Sequence, residues 1–158
     1  MTEIQQLLAI LDQAYDRRSW HGTNLRGSIR PVSPRQAAWR PAPSRHNIRE
    51  LVVHAAYWKY VVWRRLTGAA RGSFPLKGSN WFARPSAQSG SAWQADVALL
   101  DTMHRQLCEA VAHVPPRRLH RKNGAGQETS FSLITGAAAH DVYHAGQIQL
   151  LKALSRTS

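Results

Sequence analysis

Residues 129–154 read TSFSLITGAAAHDVYHAGQIQLLKAL, and this stretch decides the fold class. Ile134, Ala137, His140, His144, Ile148 and Leu151 recur three and four residues apart, the period that places side chains on one face of a helix. Thr129 or Ser130 supplies a start, and no proline interrupts the pattern before Leu154. The spacing predicts a long helix from Thr129 or Ser130 to about Leu154.

Three further segments carry the same period. The first runs from about Thr2 to Ser19 through Ile4, Leu7, Leu8, Leu11 and Tyr15; it breaks at His21-Gly22, with an end the sequence leaves open as far as Ile29. The second starts near Ser44, an N-cap candidate after Pro43, and continues to about Thr67, where Gly68 stops it. Its face is Ile48, Leu51, Val52, Ala55, Trp58, Val61, Val62 and Leu66. In the third, Ser91 and Gln94 fit a capping box. Trp93, Val97, Leu100, Met103, Leu107 and Val111 line that helix until Val114-Pro115-Pro116 ends it.

Between the first two segments, Pro31, Pro34, Pro41 and Pro43 predict loop or at most short helix. The link from Gly68 to Gly90 is too long for a structureless connection inside a compact domain, so it is expected to pack or to line a site. No strand alternation, βαβ pattern or fixed-period repeat is present. Four long helices with substantial connections predict an all-α four-helix bundle.

Length and composition agree. The chain has 158 residues, 43% of them hydrophobic and 19% charged, enough to build one core and consistent with a single domain over residues 1–158. Seventeen arginines and four lysines face nine acidic residues, a formal charge of +12. Such a field attracts anions, nucleic acid included. The arginines are scattered from Arg17 to Arg156, however. The densest basic run, Pro115 to Lys122, sits where the Pro pair and Asn123-Gly124-Ala125-Gly126 signal a loop. Without an aromatic RNP-like strand, a CxxC finger or a recognition-helix motif, a solvated basic surface is the preferred reading over a nucleic-acid-binding module. Cys108 is the only cysteine, which excludes an internal disulfide framework. No apolar run reaches the roughly 18 residues of a membrane span, and Glu3 and Asp12 make the N-terminus a poor signal peptide. A soluble cytoplasmic protein is the expectation.

The histidines carry the candidate chemistry. Eight placed at random would give about 0.4 pairs at i,i+4, so the one pair, His140 and His144, is weak evidence by spacing alone. Position strengthens it, because both lie on the apolar face of their helix, flanked by Gly136, Ala137, Ala138, Ala139, Ala145 and Gly146. His54 holds an equivalent place on the second helix, between Leu51 and Trp58. Two imidazoles one turn apart and a third from a facing helix can converge on one ion and leave positions open for water or substrate. The competing reading is three ordinary core histidines, each bonded to a carbonyl or water; three interior-facing imidazoles favour the ligand reading. His104 and Cys108 also stand one turn apart. There Cys108 is expected as a small buried hydrophobe and His104 as a helix-surface residue. His21, His46, His113 and His120 receive no role.

The run His140-Asp141-Val142-Tyr143-His144-Ala145-Gly146-Gln147-Ile148 resembles the HxxxHxGQI signature of the DinB-like superfamily. Asn47-Ile48-Arg49-Glu50-Leu51-Val52-Val53-His54 looks like that family's other motif, preceded by the Trp-containing stretch Trp39 to Ser44. The resemblance implies an up-down-down-up four-helix bundle with a divalent metal, usually zinc or nickel, held at His54, His140 and His144. It also implies a thiol S-transferase type of activity that joins a low-molecular-weight thiol, such as bacillithiol or mycothiol, to a small-molecule electrophile, or a related isomerase. Homodimers are common in the family, and its name does not make its members DNA binders.

A thiol bound to such an ion would be a thiolate at neutral pH, and a bound hydroxide would give the hydrolase version. Neither version has an evident general base. Asp141 is turned about 100° from His140; it is placed either to support a histidine on another element or to be exposed, and exposure is the expectation. Gln147 is placed to bond near the site or to pack the helix, and Tyr143 and Trp58 are expected in the core. The alternative function is a non-catalytic, stress-related metal-binding bundle.

Overall fold

The computed structural model describes residues 1–84, 89–123 and 126–156. Among these residues six α-helices form, in order α1 (Glu3–Tyr15), α2 (Leu25–Ile29), α3 (Pro34–Ala38), α4 (Ile48–Thr67), α5 (Gly90–Ala112) and α6 (Ser130–Leu154). One 3-10 turn, Pro116–Arg118, follows α5. The β-structure among the described residues is a single bridge between Lys122 and Thr129. The four long helices are those expected, and the proline-rich link supplies α2 and α3 in addition.

Each helix starts where a side chain satisfies the first free backbone N–H groups. Thr2 and Gln5 make a reciprocal capping box for α1, Asn47 caps α4, Ser89 caps α5 and Thr129 caps α6. Two expected caps are therefore corrected. Ser44 lies too early, because the chain stays non-helical through His46 and both Arg40 and His46 bond Glu50 in the first turn of α4. Ser91 gives way to Ser89, whose hydroxyl accepts the N–H of Ala92. The first helix ends at Tyr15, not Ser19, because Asp16 leaves helical geometry while its N–H still bonds Asp12.

α4 packs along α5, and α6 lies against α1, α2 and α4. One core cluster gathers Leu25, Ile29, Ile48, Val52, Leu100 and Ile148. The other gathers Leu7, Leu11, Leu66, Leu107, Leu119 and Ile134. Each side chain of this kind, fully buried, contributes about 1.5–3 kcal/mol. Lys152 Nζ donates to the Ser28 carbonyl at 2.9 Å, pinning α6 to α2. Arg49 and Arg84 share Asp96 at 2.7 and 2.6 Å, tying α4 and the link after it to α5. Lys59 of α4 pairs with Asp141 of α6, which ties together the two helices that carry the histidines.

Candidate metal centre

His54 projects from α4, and His140 and His144 project one turn apart from α6. Their Nε2 atoms meet: His140 Nε2 stands 3.2 Å from His54 Nε2 and 3.0 Å from His144 Nε2. The link between α4 and α5 comes back over this point, as its length predicted. Asn80 there holds φ at 63°, the one left-handed non-glycine among the described residues. Asn and Asp tolerate that region better than other side chains. In this conformation the Asn80 carbonyl accepts from His54 Nδ1 at 2.8 Å, and Asn80 Oδ1 accepts from Trp58 Nε1 at 2.9 Å.

These partners fix the tautomers. A carbonyl oxygen only accepts, so His54 carries its hydrogen on Nδ1 and turns the Nε2 lone pair inward. His144 does the same, with Nδ1 donating to Gln147 Oε1 at 2.6 Å. His140 Nε2 thus faces two lone pairs and has at most one hydrogen to offer them. A cation satisfies all three. Three nitrogens about 2.0–2.1 Å from one tetrahedral ion stand roughly 3.3 Å apart, close to the spacings observed. An Nδ1–H held by a carbonyl is also the usual outer support of a metal-bound histidine. The donor set therefore fits a divalent ion.

Charge points the same way. Burial lowers the pKa of His140 to about 3, with His144, His54 and Lys59 adding to the effect. Burial takes His144 down to about 4 against the opposing bond to Gln147. His54 is lowered by burial and partly restored by the Asn80 bond. All three rings are neutral at pH 7, the state a metal ligand needs.

Aromatic rings wall the group. Trp81 is stacked between His46 at 3.6 Å and His54 at 3.9 Å. The Trp58 ring stands edge-on to His54 and to His140, 6.4 Å from each. His46, left without a role by the sequence, thus braces Trp81 while bonding Glu50. Burial pushes the Glu50 carboxyl up, but its hydrogen bonds from Arg40 and His46 prevail and hold it down to about 2.

Other expectations change. Asp141 is buried, not exposed, and pairs with the buried Lys59; burial raises its pKa against the pull of that ammonium. Tyr143 is 63% exposed, outside the core, and accepts from Gln147 Nε2 at 3.2 Å, while Trp58 is half-buried and packs against the core from the rim. His104 is buried rather than on the surface, stacked on Tyr15 at 3.7 Å, and Cys108 is half-buried.

Asp12, His104 and Cys108 form a second cluster of potential ligand atoms. Lys59 Nζ lies 3.3 Å from His104 Nδ1, so His104 accepts there and carries its hydrogen on Nε2, which faces Cys108 Sγ at 3.4 Å. With that lone pair absent and an ammonium adjacent, the cluster does not fit a cation. His113 and His120 bond the Glu109 carbonyl and the Glu3 carboxylate, away from the centre.

Comparison with known proteins follows the same lines. The family model of the DinB superfamily matches residues 15–148, a span that contains His54, His140 and His144. No curated protein and no solved structure matches the chain.

Proposed function

This chain belongs to the DinB superfamily, and from that premise we propose that His54, His140 and His144 hold a divalent metal ion, zinc or nickel, in a metal-dependent enzyme. The reaction is the transfer of a low-molecular-weight thiol to a small electrophile, or hydrolysis at the same centre. One observation carries the reading: three neutral imidazoles turn Nε2 toward one point, two of them with Nδ1–H committed to oxygen acceptors. Core histidines that only fill space would not share that orientation.

The ion, when bound, would lower the pKa of a thiol or water beside it and so supply a nucleophile at neutral pH. The chain's residues do the rest. Asn80 and Gln147 hold two rings in the binding tautomer. Trp58 and Trp81 exclude water from the rim. Asp141 is committed to Lys59, and no carboxylate oxygen joins the three nitrogens among the described residues, so a proton released from the nucleophile passes to solvent. Sulfur then bonds to the electrophilic carbon as the leaving group departs with its electron pair.

The non-catalytic metal-binding bundle is the alternative. Homodimerisation belongs to the same proposal, supported by an exposed stripe of Gly136, Ala139, Tyr143, Gly146 and Leu150 on α6. Among the described residues no helix is long and apolar enough to cross a membrane, in keeping with a cytoplasmic setting for the reaction.

Elemental analysis of untagged protein beside His144→Ala tests the reading. About one equivalent of zinc or nickel, lost in the variant, is the expected result. No metal in the wild type after incubation with both ions returns the histidines to the core and removes the enzyme with them. Turnover of thiol and electrophile pairs, against none, separates the enzyme from the bundle.

A further inference from the structure

We propose that the hollow at the C-terminal end of α4 binds a small polyanion, a molecule carrying two or more phosphate or carboxylate groups. Five cations from three parts of the chain line this hollow and the one adjoining it: Arg64 and Arg65 from the last turn of α4, Arg71 and Lys77 from the link that follows, and Arg118 from the 3-10 turn. A hollow of about 600 Å³ is lined by the first four. An adjoining one of about 530 Å³ shares Arg64, Arg65 and Arg71 and adds Arg118.

Glu128 is the one carboxylate among the lining residues described. It stands 3.8 Å from Arg65 with both side chains exposed, a pair that offsets little of the charge. Four other carboxylates are taken up by cations outside these hollows. Glu50 takes Arg40, Asp96 takes Arg49 and Arg84, Asp101 takes Arg26, and Asp141 takes Lys59. Glu128 is thus the one acidic group set against these five cations among the lining residues described. Preference of cations for a helix C-terminus accounts for Arg64 and Arg65. It does not account for Arg71 and Lys77, which reach the first hollow from the link, or for Arg118, which reaches the adjoining one from the 3-10 turn.

Shape selects the ligand class. The hollow falls within the roughly 300–1,000 Å³ of small-molecule sites, and Tyr57, Trp58 and Phe74 form an apolar wall that strengthens the field inside it. A nucleic-acid duplex would instead need a cationic surface open along its backbone. Trp58 is shared with the histidine group, so a polyanion seated here lies beside that centre. The site stands on its own charges and does not require the metal.

Pyrophosphate titrated calorimetrically into the purified full chain is the first probe. We expect saturable one-to-one binding that Arg64→Ala/Arg71→Ala weakens by about tenfold or more. Arg17→Ala/Arg18→Ala, which removes the same charge from exposed positions elsewhere, is expected to change it by roughly twofold or less. Retained metal content and helical circular dichroism verify that the variants fold. Tricarballylate as a second probe decides between phosphate and carboxylate as the preferred group, and saturable binding of either supports the site.

Equal weakening by the two double variants would mean a general field with no site, and overturns the proposal. So does absence of saturable binding, or displacement of pyrophosphate by random duplex DNA that binds more tightly. His144→Ala separates this inference from the metal reading. Binding that survives in that variant supports an independent anion site, and binding lost with the histidine places the anion on the metal centre and refutes it.

Discussion

The Asn80 carbonyl accepts the His54 Nδ1 hydrogen at 2.8 Å while Asn80 itself sits at φ 63°. The tautomer of His54, the proposed ligand in α4, is thus set by one backbone conformation in a link that belongs to no helix. Glycine takes that conformation without strain, whereas proline fixes φ near −65° and would swing the carbonyl away. Asn80→Gly is expected to keep zinc affinity within about threefold, and Asn80→Pro to lower it by about 10–100-fold, the usual cost of losing such outer support. Competition with a chromophoric chelator at pH 7 measures both. Equal affinity in the two variants would dissociate Asn80 from the site.

Lys59 and Asp141 form a buried ion pair between α4 and α6, with side chains 2% and 1% exposed. Removing one partner leaves the other charge buried and alone, at a cost of about 3–5 kcal/mol. Lys59→Met is expected to lose that much stability in urea unfolding. Lys59→Met/Asp141→Leu, with no charge left, is expected to recover most of it. Additive losses in the double variant would mean that the pair is not coupled.

This pair marks where the sequence stops being sufficient. The i,i+4 spacing of His140 and His144 showed directly, because one apolar face carries both. Asp141 looked exposed because one residue along a helix turns about 100°, which on a helix with a single buried face leads outward. α6 is packed on several sides by α1, α2 and α4, so position 141 turns toward another neighbour. The available signal was Lys59, a lone cation within the apolar run from Leu51 to Val62, which needs an interior partner. Asn80 and Trp81 were beyond reach for another reason. Their role depends on how a long link folds back, and neither period nor capping encodes that.

His104 makes a pH prediction. Burial, with Lys59 beside it, lowers its folded pKa from 6.5 to about 3. The unfolded chain therefore binds the proton first. The contribution to stability is complete above about pH 6.5 and declines as the pH falls toward 3, by about 1.4 kcal/mol per pH unit once the unfolded histidine is protonated. His104→Gln removes that term. Plotted from urea unfolding of metal-free protein between pH 6 and 4, stability should fall less steeply in the variant by about 1 kcal/mol per unit. Parallel slopes would mean that His104 is charged or solvated in the folded protein.

Gly136, Ala139, Tyr143, Gly146 and Leu150 lie three and four residues apart on the exposed side of α6, the spacing of a helix-pairing seam. Tyr143 and Leu150 are 63% and 61% exposed, and small residues between them would let a second helix approach closely. In the proposed homodimer, a second copy of the chain presenting the same stripe would close this face by symmetry. A Cβ added at Gly146 meets nothing within 4 Å, so Gly146→Arg should leave the fold of one chain intact while placing a charge and a long side chain in the seam. Sedimentation velocity at micromolar concentration is expected to show a dimer for the wild type and a monomer for Gly146→Arg, with unchanged helical circular dichroism. A wild-type monomer, or a dimer that the substitution leaves intact, would move the interface away from α6.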